Sequence, residues 1–95
     1  MPSRDEIEAA IAAHNVANLE PHLPPAAGRL LAVMFRQSSM CQRSLDALAA
    51  EGFSRRSLPR LLRALVEAGF LSKERGHEPS AANVYHLHLP PRRQP

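Results

Sequence analysis

The pattern of apolar and polar positions divides the chain into two leading helices, a closely spaced helix pair and a terminal hairpin. Ile7, Ala10, Ile11 and His14 recur at helical spacing. They follow Ser3-Arg4-Asp5-Glu6, which has the form of a capping box: a hydroxyl to cap the third amide and a glutamate to reach back. A first helix is predicted over about 4–18. Leu19-Glu20-Pro21-His22-Leu23-Pro24-Pro25 ends it, because tandem prolines cannot donate to a helical ladder but can open the next helix at its first turn. A second helix is predicted over about 26–36, with Leu30, Leu31, Val33, Met34 and Phe35 spread widely enough to be covered on more than one side. Gln37-Ser38-Ser39-Met40-Cys41 leaves room for one brief strand.

From Gln42 onward the pattern sharpens. Leu45, Leu48 and Ala49 share one face of a short helix, which Gly52 can end in the left-handed conformation while Phe53 packs back. Ser54 is a suitable N-cap for the following helix, whose Leu58, Leu61, Leu62, Leu65 and Val66 keep the three-four spacing until Ala68-Gly69 closes it. Residues 70–75 and 83–89 are predicted strands flanking a loop that holds both glycine and proline. In the second strand Tyr85, Leu87 and Leu89 face one way and Val84, His86 and His88 the other, which suits a ribbon with one buried face. Residues 90–95 are expected to form a flexible tail.

Ninety-five residues make one domain. No apolar stretch approaches the roughly 20 residues of a membrane span, and Arg4, Asp5, Glu6 and Glu8 crowd the start. A soluble, cytoplasmic protein with no membrane partner and no secretory signal is therefore expected. The single cysteine cannot form an internal disulfide, so stability has to come from packing. Charge is unevenly distributed: residues 1–54 carry four basic and six acidic side chains, residues 55–95 eight and three. A polyanion, either nucleic acid or an acidic protein surface, suits the basic half.

The sharpest feature lies within that half. Arg56, Arg60 and Arg63 fall on one stripe opposite the leucines, with Arg55 and Ser57 beside it and no acidic residue before Glu67. Stacked arginines repel one another, whereas a solvated structural helix usually intersperses glutamates. Guanidinium forks match phosphate oxygens or the O6 and N7 of guanine in two-point fashion. Ser54, Ser57 and the helix amides can also hold phosphate.

Ser44-Leu45-Asp46-Ala47-Leu48-Ala49, followed by the segment from Gly52-Phe53-Ser54-Arg55-Arg56-Ser57 to Ala68-Gly69-Phe70-Leu71, resembles the bacterial winged helix-turn-helix DNA-binding domains. Lys73 to Arg75, with Asn83-Val84-Tyr85-His86-Leu87, is similar to their wing, particularly in small phage and plasmid regulators. The resemblance implies a mainly α fold with a small β-hairpin: an N-terminal helix and linker over 1–25, a winged helix-turn-helix over 26–89 and the tail. It implies a sequence-specific regulator of transcription, a repressor rather than an enzyme, acting on double-stranded DNA in the nucleoid. The recognition helix, about 54–68, would enter the major groove. Ser54, Arg55, Arg56, Ser57, Arg60 and Arg63 would meet bases or phosphates, and Lys73, Arg75 and His77 would carry the wing, about 72–88, to the backbone or minor groove.

Two departures from the family pattern concern how that helix is presented. The turn after Ala49 is one residue shorter than usual, and Pro59 lies inside the expected helix, so either the helix begins near Ser57-Leu58 or it kinks. Ile7 and Ile11 on the first helix are expected either to form a homodimer seam, as two-fold operators favour, or to complete the core of their own chain. His77, His86 and His88 with Cys41 lack a second close ligand pair, so no metal is expected. No phosphate loop, paired carboxylates or activated nucleophile is present, and neither cofactor, small-molecule ligand nor catalysis is expected. The alternative is a protein-interaction module on the same scaffold, binding an acidic partner.

Overall fold

A computed structural model describes residues 2–36, 38–74 and 83–92. The described chain is mixed α/β, with four helices and a three-stranded antiparallel sheet. The elements run α1 (Arg4–Val16), α2 (Pro25–Met34), β1 (Met40–Cys41), α3 (Leu45–Ala49), α4 (Leu58–Glu67), β2 (Leu71–Glu74) and β3 (Val84–Leu87).

The Ser3 hydroxyl accepts from the Glu6 amide at 3.2 Å and starts α1. The helix stops at Val16, two residues before the expected end, because Asn18 turns left-handed at φ 55°. The Leu19 amide then donates to the His14 carbonyl and the Asn18 amide to the Asn15 carbonyl, which together form a Schellman cap. The linker folds back onto the helix it has just left. Asn15 donates to the Leu23 carbonyl at 2.8 Å and accepts from the Leu23 amide at 2.9 Å, while His14 Nε2 donates to the Pro21 carbonyl at 2.7 Å. His14 is thus a satisfied core residue, its ring edge-on to Phe70 at 5.8 Å between centroids.

Pro25 opens α2 in its first turn, as expected, and α2 packs on α1. Ile7 and Ile11 lie between the two, 1 % and 6 % exposed, together with Ala27, Leu30 and Leu31. Of the two roles expected of Ile7 and Ile11, this burial favours completing the core of their own chain.

The brief strand near residue 40 extends the expected hairpin to three strands in the order β1-β3-β2. Met40 lies opposite His86 and Cys41 opposite Tyr85 on one side of β3; on the other, Leu71, Ser72, Lys73 and Glu74 pair with Leu87, His86, Tyr85 and Val84. Cys41, Leu71 and Tyr85 are buried. Burial pushes the Cys41 thiol and the Tyr85 phenol above their ordinary values. The expected loop over 76–82 lies outside the described residues.

Of the expected tail, residues 90–92 are described. Pro90 and Pro91 line a groove against α1, and the Arg92 amide donates to the Gly69 carbonyl at 2.7 Å.

Candidate nucleic-acid interface

Ser44 caps α3, its hydroxyl accepting from the Ala47 amide at 3.0 Å. Gly52 takes φ 104° in open space, and Phe53 packs against the core. The chain then makes one turn: the Ser54 carbonyl accepts from the amides of Ser57 at 3.0 Å and Leu58 at 3.1 Å. The regular helix begins only at Leu58, with Ser57 in the cap position and no side-chain cap bond. This corrects the start at Ser54 and matches the other expectation, a start near Ser57-Leu58. Pro59 has no amide proton to give the Arg55 carbonyl, and its ring is tolerated only in a first turn.

Leu58, Leu61, Leu62 and Leu65 of α4 are all buried. The opposite face is exposed and carries Arg60 and Arg63, with Ser54, Arg55, Arg56 and Ser57 exposed on the turn ahead of it. At the far end the Phe70 amide donates to the Leu65 carbonyl and the Gly69 amide to the Val66 carbonyl, a second Schellman cap that aims the chain into β2. Lys73 on β2 is exposed. It rims a cleft between α4 and the sheet together with Arg63 and Glu67, over Leu62, Val66 and Tyr85. The geometry therefore brings Arg63 and Lys73 to the rim of one cleft. Arg75 and His77 lie outside the described residues.

The carboxylates near this surface are engaged in pairs that sequence spacing did not disclose. Arg55 Nε donates to Asp46 Oδ1 at 2.9 Å, which ties the turn back to α3. Glu51 lies between Arg43 at 3.1 Å and Arg36 at 3.5 Å. The Arg43 hydrogen bond, with the Arg36 charge behind it, holds the Glu51 carboxyl below its usual value. Arg29 stacks on Phe53, its guanidinium carbon 5.6 Å from the ring centre. These partners are eight to fifteen or more positions apart in the chain, or meet across a turn, so no helical or strand period links them. Among the described pairs near this surface, Arg63–Glu67, one helical turn apart at 3.8 Å, follows a spacing that could have been anticipated, as Arg4–Glu8 does on α1. Among the described residues, Arg56, Arg60 and Lys73 have no carboxylate partner.

His86 and His88 stand on the sheet, the former 3.2 Å from Glu74 Oε2 and the latter 2.9 Å from the Ser72 hydroxyl. Among the described residues no group of three potential ligands comes together. No described helix is long and apolar enough to cross a membrane. No protein-family model, curated protein or solved structure matches the chain.

Proposed function

We propose that the chain is a winged helix-turn-helix protein that binds double-stranded DNA as a sequence-specific transcriptional regulator, of the repressor type common in mobile elements. The order α2, β1, α3, α4, β2, β3, with β3 central, is compatible with that architecture, and α1 is the additional helix. The observation that carries the reading is the division of α4: one side wholly buried leucine, the other exposed arginine, with Arg60 and the preceding Arg56 lacking a carboxylate partner among the described residues. Such a face has fork donors ready for phosphate or guanine without first breaking an ion pair.

The test is duplex binding followed by fluorescence anisotropy across a salt series. Affinity should fall linearly on a log–log plot with a slope set by several phosphate contacts, and Arg60→Ala should cost about 1–3 kcal/mol on the preferred sequence. A palindromic consensus with half-sites about 10 base pairs apart would add a two-fold dimer. Absence of duplex binding at low salt would overturn the proposal in favour of an acidic protein partner.

A further inference from the structure

The exposed face of α4 is arranged in an order that restricts what it can recognise. At about 100° per residue, Arg60, Arg63 and Glu67 fall within roughly 30° of the direction opposite the mean of the four buried leucines. They form the centre line of the exposed face. Its flanks hold Pro59 and Val66 on one side and Ala64 on the other, none of which has a side-chain donor. A helix that clamps the two phosphate strands bordering a groove needs donors on its flanks, whereas a helix that reads the floor needs them on its centre line. Here the arginines lie on the centre line.

The available side chains narrow the target further. Asparagine and glutamine, which make two-point contacts with adenine, are absent from residues 54–67. Arginine pairs with guanine O6 and N7 in the same two-point way. Arg63 Nε lies 3.8 Å from Glu67 Oε1, beyond hydrogen-bond distance and exposed, so its fork stays open to an acceptor, and that carboxylate repels phosphate from the C-terminal end of the helix. Arg60 and Arg63 are separated by about 4.5 Å of helical rise, against about 3.4 Å for a base-pair step.

We infer that this face recognises duplex DNA with guanines one or two base-pair steps apart in the major groove, one met by Arg60 and the other by Arg63. The inference rests on the DNA-binding reading above. Arg56, on the turn with Ser54 and Ser57, serves the backbone instead.

The experiment is a selection from random duplex DNA with the full chain at about 150 mM salt, repeated with Arg60→Ala, Arg63→Ala and Arg60→Lys. Both arginines are exposed, Arg63 by 83 %, so the core is untouched. Guanine should be enriched at two nearby positions, with Arg60→Ala erasing one preference and Arg63→Ala the other. Arg60→Lys should keep the salt dependence but weaken the first preference, because a flexible ammonium lacks the planar fork that fixes both guanine acceptors. Replacing either guanine by 7-deazaguanine, which removes the N7 acceptor, should weaken binding roughly tenfold. Retained duplexes without guanine enrichment would overturn this inference while leaving DNA binding in place. Retention of no duplex would overturn the DNA-binding reading itself, and this inference with it.

Discussion

At Gly69 the chain leaves α4 with φ 90°, and the backbone carbonyl of Arg92 occupies the space a β-carbon would take. Two separate penalties therefore meet at one position: the left-handed backbone and a clash with main chain that cannot rotate away. Gly69→Ala should lower unfolding free energy by about 1–3 kcal/mol, measured by urea denaturation, and should free the 88–92 segment from the end of α4. Gly28 is the opposite case. It lies in α2 against α1, and an added β-carbon would meet Glu8 Cγ at 3.5 Å and Ile11 Cδ1 at 3.6 Å, ordinary contact distances. Gly28→Ala should then gain about 0.5–1 kcal/mol, since glycine within a helix gives up more backbone freedom on folding than alanine does. The two substitutions are chemically identical and have opposite predicted signs, which a melting comparison resolves directly.

Among the elements, the sheet supplies a pH dependence. His88 is partly covered, and its burial, with the charges of Arg92 and His86 nearby, holds its imidazole below the ordinary value of 6.5. The unfolded chain consequently takes up a proton at a higher pH than the folded one does. Stability should be unaffected by this group above about pH 6.5 and should fall as the pH drops from there toward the folded-state value. His88→Gln should flatten that part of the stability profile between pH 7 and 5, while leaving the alkaline side unchanged.

The elements also divide according to what the chain made visible locally. The existence of all four helices and of the two longer strands follows from apolar spacing and cap residues such as Ser3, Ser44 and Gly69, because those signals act within a few positions. The start of α4 was legible only as a choice of two. Pro59 announced an irregularity, but the turn that absorbs it depends on the Ser54 carbonyl taking two amides. Exposure of the arginine stripe followed from the leucine period. The Asp46–Arg55 and Arg36–Glu51–Arg43 pairs did not, since they exist only after α3 has folded against its neighbours. In the same way nothing local told which surface would cover Ile7 and Ile11.

For the molecule as a whole, that choice makes α1 part of the folding unit. A chain of this size has a small interior and an expected stability of only about 5–15 kcal/mol, so one lost core contact is a large fraction of the whole. Ile11→Ala removes buried methyl groups at the α1–α2 contact, and substitutions of this kind cost about 2–5 kcal/mol. The two possible places for Ile11 differ in how that loss depends on protein concentration. A residue in a seam between copies stabilises by mass action, so its removal would leave a folded monomer, and the melting of the parent alone would depend on concentration. A residue within the core of one chain lowers the melting temperature by the same amount at every concentration. For a domain of 60–100 residues each 1 kcal/mol corresponds to about 4–8 °C, so Ile11→Ala should melt at least 8 °C below the parent. Melting curves recorded over a hundredfold range of protein concentration should show the same difference throughout. A difference that shrank on dilution would return Ile11 to an interface between chains.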